Sequence, residues 1–123
     1  MGVITYQSLL TLVKKTTTTL PAADAEAIIN QAINLLNTYG ADLPNMSGSV
    51  GSKMVSLQSS EEGAVLTVAC DIYFSYYKDV DGNLSVEDYS VSTQNIMGNP
   101  QIIEKVKDLA SRLRDTGWSR AII

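Results

Sequence analysis

The chain lacks histidine and has a single cysteine, Cys70, among its 123 residues. Without histidine, the side chain that most often transfers protons near neutral pH is missing. A lone cysteine excludes an internal disulfide framework and fits a reducing compartment. Cys70 lies in an apolar helical pattern, where a thiol is normally inert packing. With neither a glycine-rich phosphate loop nor zinc-ligand spacing, the sequence predicts no enzyme and no cofactor.

Basic residues are also few. Nine lysines and arginines stand against thirteen acidic residues, for a net charge of −4 at pH 7. A chain with no basic surplus has little with which to neutralise phosphates, which argues against a nucleic-acid binder. The sequence shows no run of eighteen apolar residues and no secretory signal pattern. We therefore expect a globular protein made in the cytoplasm, with no membrane partner.

Helical periodicity, in contrast, recurs in four segments. The first has Thr5 as its N-cap and runs to about Lys15, and the second starts at Pro21 and has Gly40 as its left-handed cap. A capping box formed by Ser59 and Glu62 starts the third segment, which runs from about Ser60 to Tyr77. The last begins at Asn99 and Pro100 and ends at Gly117. The fold class that follows is mainly α, a small bundle of about four helices.

Two stretches interrupt the helices. Residues 41–58 form a long loop rich in serine and glycine, whose end at 53–57 is compatible with a short strand. Residues 78–98 are irregular or form a β-hairpin arm around the turn Asp81-Gly82-Asn83. We expect a single helical domain over 1–116 that includes this loop and arm, followed by a docking tail at 117–123.

Polar positions on the helices leave alternatives open. The amides of the second helix, Asn30, Gln31, Asn34 and Asn37, fall largely opposite its apolar face and suit either water or an interface. Asp71 lies in the third helix, which is apolar nearly all round. It either faces water or pairs with an arginine across an interface. The aromatic cluster of that helix, Tyr73 to Tyr77, is expected to pack either in the core or against another subunit.

Residues 77–88 resemble a calcium-binding EF-hand loop. The candidate ligands are Asp79, Asp81, Asn83 and Asp88. The first loop position, however, is Tyr77 instead of a carboxylate, and the twelfth is Asp88 instead of a bidentate glutamate. A polar turn explains the same residues. A small calcium-binding module therefore stays an alternative, and the leading prediction has no metal site.

The C-terminal residues favour docking on a partner. Trp118, Ala121, Ile122 and Ile123 would leave large apolar groups in water if the tail were free. Basic residues also concentrate near this end of the chain. The predicted partner-binding residues are Arg112, Arg114, Trp118, Arg120, Ile122 and Ile123. The alternative is a cytosolic helical binding protein whose tail covers its own core.

The order of these segments resembles the head–tail connector, or adaptor, proteins of long-tailed phages and related viruses. The shared order begins with a short helix and an amphipathic helix that ends at Tyr39-Gly40. A loop, an aromatic helix, an arm and a final helix follow. The motifs Ile28-Ile29-x-x-Ala32 and Cys70-Asp71-Ile72-Tyr73-x-x-Tyr76 carry the resemblance best. It covers most of the chain and lies in helix order and character.

The resemblance implies a structural virion protein at the head–tail junction. Its partners would be copies of itself in a ring of about twelve subunits, the portal protein, and the next tail-side connector or tail terminator protein. The tail at 117–123 would dock on the portal, while the loop and the arm reach neighbouring subunits or the next ring. DNA would pass through the ring without specific binding, since acidic surfaces repel phosphates.

Overall fold

The computed structural model describes residues 2–16, 18, 20–77 and 99–122, and for 76, 77 and 114–122 it gives the backbone alone. This part of the chain contains four α-helices, a π-helical segment and two short strands. In chain order they are β1 (Gly2–Ile4), α1 (Tyr6–Val13), α2 (Ala22–Thr38), β2 (Val55–Leu57), α3 (Ser59–Ile72), a π-helical segment (Tyr73–Tyr77) and α4 (Pro100–Ile122). The predicted fold class, mainly α with about four helices, is confirmed.

The core forms where the apolar stripes of the helices meet. Helix α3 packs against α1, α2 and α4, and α2 also contacts α1 and α4. Fully buried side chains of α2 (Ile28, Ile29, Ile33), α3 (Val65, Val68) and α4 (Val106, Ala110) occupy the centre. Burial of these apolar groups away from water is the main favourable contribution to folding.

Two predicted helix ends are confirmed by their hydrogen bonds. Gly40 follows α2 with a φ of +114°. The N–H of Ala41 donates to the carbonyl of Leu36, and that of Gly40 to the carbonyl of Asn37, which is the Schellman motif. Asn99 precedes α4, and its side-chain oxygen accepts the N–H of Gln101 at 3.2 Å. Pro100, at the first helical position, needs no such acceptor.

The predicted N-cap of α1, Thr5, is also confirmed, whereas three other predicted boundaries were wrong. Helix α1 ends at Val13, because Lys14 adopts a left-handed conformation with a φ of +58°. The N-cap of α3 is Gln58, not Ser59; its N–H donates to the carboxylate of Glu61 at 2.9 Å. Gly117 does not end the last helix, since α4 continues to Ile122. A glycine inside a helix is tolerated at a cost of about 1 kcal/mol.

A small antiparallel sheet joins the N-terminal segment to the end of the long loop. Strand β1 pairs with β2 in the register Gly2–Leu57, Val3–Ser56 and Ile4–Val55. Ile4, Val55 and Leu57 are buried, whereas Val3 is half exposed. The strand at the end of the loop was predicted within 53–57. Strand β1 was not predicted, because three residues are too few for alternation to show.

The predicted hairpin arm, 78–98, lies outside the described residues. Within the part of the chain that is described, no helix combines the length and the apolar composition needed to cross a membrane. Helix α4 has enough residues, 23 of them, but charged side chains recur along its whole length.

Candidate interaction surfaces

The predicted partner-binding residues lie on or next to the second half of α4. Arg112 is exposed, and its guanidinium lies 3.1 Å from the carboxylate of Asp108, one turn earlier. Arg114, Trp118, Arg120 and Ile122 belong to the helical backbone. Ile123 lies outside the described residues. The helix thus places five of the six predicted residues on one continuous element.

The polarity of α4 changes after Leu113. Residues seven apart share one stripe of a helix, since seven residues make about two turns. The core-facing stripe runs through Val106 and Leu113, both buried, and reaches position 120, which is an arginine. The opposite stripe runs through the exposed Glu104 to position 118, which is a tryptophan. By helical periodicity, the tryptophan thus occupies a position on the side of α4 opposite to the buried stripe.

The EF-hand-like residues Asp79, Asp81, Asn83 and Asp88 lie outside the described residues. Elsewhere, in the ranges that are described, no group of three or more histidine, cysteine or acidic side chains is arranged to hold a metal ion. The candidate calcium loop therefore stays a prediction.

Glu26 anchors the long loop, a role that the sequence did not reveal. Its side chain is only 1% exposed. One carboxylate oxygen accepts the N–H of Gly51 and the other accepts the N–H of Lys53, both at 2.8 Å. Hydrogen bonds to a charged acceptor are about twice as strong as neutral ones. This acid therefore attaches the long loop to α2.

The amides of α2 extend the same attachment. The side chain of Asn37 both donates to the carbonyl and accepts from the N–H of Leu43, each at 2.9 Å. The side-chain oxygen of Asn30 accepts the N–H of Met46 at 3.0 Å. From the sequence, this face suited either water or an interface. In the structure it binds the protein's own loop, and of the four amides Asn34 is exposed.

The attached loop contains a turn whose apex is exposed to solvent. Ser47 and Met54 pair across its base, with hydrogen bonds of 2.9 and 3.0 Å between their main chains. Gly51 has a φ of +90°, a conformation that other residues rarely adopt. Val50 at the apex is 70% exposed. We call residues 47–54 the loop tip. Its backbone is fixed by hydrogen bonds, yet it holds an apolar side chain in water.

A groove lies between α1 and α3. Its volume is about 460 Å³, and its lining consists of Leu12, Gly63, Leu66, Thr67, Cys70 and Asp71. The side chain of Leu12 is 51% exposed. Small residues at positions 63 and 67 leave the space, while leucines form its apolar walls. We call this the α1–α3 groove; its volume is within the range of small-ligand sites, about 300–1,000 Å³.

The two polar residues at one end of the groove are explained by contacts within the chain. Asp71 accepts an ion pair from Lys105 of α4 at 2.8 Å. The sequence left two alternatives for Asp71, contact with water or a pair with an arginine across an interface. In the structure its partner is a lysine of the same chain. Burial, and secondly the nearby Asp71 charge, raise the pKa of the Cys70 thiol. A thiol of raised pKa is a poor nucleophile at neutral pH, which agrees with a packing role.

No family model, curated protein or solved structure matches this chain. Its function is therefore inferred from its own residues and geometry.

Proposed function

We propose that this protein is a structural virion subunit, a head–tail connector that assembles into a ring between the portal and the tail. The observation that carries the proposal is the change of polarity along α4. Up to Leu113 the apolar stripe covers the core of the same chain. Beyond Leu113 the helix continues to Ile122, with tryptophan and isoleucine at positions on the other side.

A helix whose apolar stripe moves away from its own core has its large side chains positioned for another molecule. Trp118 and Ile122 are one turn apart, so they share a face. Tryptophan and arginine are the residues most enriched where binding energy concentrates at interfaces. Arg114 and Arg120 stand within the same segment. This composition supports docking of the α4 end, defined here as residues 114–123, on the portal protein.

The proposed assembly has the partners that the resemblance implies. Copies of the chain form a ring of about twelve subunits, and the next tail-side connector or tail terminator protein joins its other side. DNA passes through the ring without being bound specifically. The protein acts at the head–tail junction after synthesis in the host cytoplasm, without a catalytic step, a cofactor or a membrane.

Deletion of residues 118–123 tests the proposal. Because the proposal assigns residues 118–123 to a contact with a partner, the truncated protein should keep its helical spectrum and its thermal midpoint. Binding to purified portal rings, measured by co-sedimentation, should fall by at least about tenfold, as for loss of an aromatic hot spot. The double variant Glu104→Ala/Ser111→Ala, on the same stripe but before the change of polarity, serves as the control and should bind as the wild type does.

Two results would contradict the proposal. Collapse of the fold on deletion would mean that the tail is part of the chain's own core. Wild-type protein that stays monomeric with portal rings present, and does not bind them, would reject the connector function. In either case the cytosolic helical binding protein becomes the better interpretation.

A further inference from the structure

We infer that the loop tip of one subunit inserts into the α1–α3 groove of a second copy, with Val50 as the apolar residue that enters. The inference rests on the self-association included in the proposed function. It is independent of the portal contact, which involves the α4 end.

The loop tip is built to hold a shape. Glu26 is a buried carboxylate whose two oxygens both bind main-chain N–H groups of the tip. Removing a carboxylate from water is costly unless it is fully hydrogen-bonded. This arrangement does not enlarge the apolar core; it fixes a turn that exposes Val50. A segment ordered before binding loses less conformational entropy when it binds.

The loop tip does not occupy the groove of its own chain. Val50 is 70% exposed and Leu12 of the groove is 51% exposed, so neither covers the other within one chain. The N–H of Gly51, next to Val50, is held on α2 by Glu26. Both surfaces are therefore open to contact with a second copy of the chain.

The charges of the two surfaces are complementary. Lys53 is the only charged residue of the loop tip, residues 47–54, and Asp71 is the only charged residue that lines the groove. Among the described residues, Lys53 forms no ion pair within its own chain. Asp71 already accepts Lys105 at 2.8 Å. A carboxylate has about four acceptor sites, so a second cation can be added. Opposite charges at an interface fix register and orientation.

A contact of this kind is compatible with a ring. The loop tip and the groove are formed by different residues on different elements, so each subunit offers one of each. An interface between two different patches is head-to-tail, and it closes into a ring when the rotation per subunit permits. An interface that pairs one patch with itself would stop at a dimer.

Cys70, the chain's only cysteine, makes the contact testable, since it lines the groove. We would introduce Val50→Cys and oxidise the concentrated protein with diamide. The oxidation is run at alkaline pH, because burial raises the pKa of the Cys70 thiol and the thiolate is the reactive form. The expected result is a ladder of disulfide-linked dimers, trimers and larger products on a non-reducing gel. Each subunit would donate one thiol to each of two neighbours.

Two matched variants control for chance collisions. Val50→Cys with Cys70→Ser should lose the ladder and give dimers at most. Ser56→Cys, an exposed position on β2, retains Cys70 and should give no ladder. Equal products from the Val50→Cys and Ser56→Cys proteins, or products that stop at the dimer and persist without Cys70, would overturn the inference.

A non-covalent measurement separates this contact from the portal contact. Val50→Asp should weaken self-association by at least about tenfold in sedimentation, since a buried unpaired charge is costly. Val50 is mostly exposed, so folding should be unaffected. The contact would be rejected if Val50→Asp assembled as well as the wild type and the Val50→Cys protein gave no ladder. The proposed function would stand in that case, provided that wild-type rings bind the portal. A ladder from a protein that does not bind portal rings would support the contact and reject the proposed function.

Discussion

Glu26 lies beyond the first turn of α2, where the positive end of the helix has little effect on a carboxylate. The sequence predicted the helix around it. It did not predict burial, because the partners of Glu26 lie 25 and 27 residues further along the chain. Helical periodicity relates residues within a few turns, so it does not detect a side chain that binds the main chain of a distant loop.

Glu26→Gln should destabilise the protein by about 1–3 kcal/mol. The amide keeps the size of the side chain, but one of its two terminal groups is a donor and would face a main-chain N–H. Urea unfolding followed by circular dichroism measures the effect. Glu104→Gln, the same change on the exposed face of α4, should stay within about 0.5 kcal/mol of the wild type. Equal stability of the two variants would show that the hydrogen bonds to the loop contribute nothing.

Two glycines show how far element boundaries can be predicted. Gly40 follows an apolar stripe that ends with it, and the residue after it is apolar, as the Schellman motif requires. That prediction is confirmed. Gly117 also follows an apolar stripe, but here the helix continues to Ile122. Glycine lowers helix stability without forbidding the helix, so its presence alone does not set a boundary.

Alanine substitutions at the two glycines should have opposite effects. Gly117→Ala should raise helicity and stabilise α4 by about 0.5–1 kcal/mol, because alanine restricts the unfolded chain and favours the helix. Gly40→Ala should destabilise by about 1 kcal/mol or more, since a φ of +114° is unfavourable for a side chain. The ellipticity at the helical minimum and thermal unfolding measure both. Destabilisation by Gly117→Ala would mean that this glycine ends the helix.

At the scale of the whole molecule, the helix count and the class of fold followed from periodicity, because each apolar stripe is long enough to be recognised. The pairing of β1 with β2 and the attachment of the loop to α2 did not, since both join segments distant in sequence. The partner-binding residues of the α4 end stay a prediction. What the structure adds is that a continuous helix carries them up to Ile122.

The net charge of −4 predicts that the protein does not retain duplex DNA at physiological salt, because no basic surplus releases counterions. Fluorescence anisotropy with a labelled duplex should show no binding at micromolar protein. The double variant Asp42→Lys/Glu104→Lys, at two exposed positions, removes the excess negative charge and should bind measurably at low salt. Tight binding by the wild-type protein at physiological salt would contradict a ring that lets DNA pass freely.

The carboxylate of Glu26 binds the main chain of the loop, not its side chains. The side chains at positions 49, 50 and 52 therefore take no part in those two bonds. Their identity can change over evolution while the turn keeps its form, as long as Gly51 retains its conformation. New specificities can thus arise at the apex one substitution at a time, with the helical framework left intact.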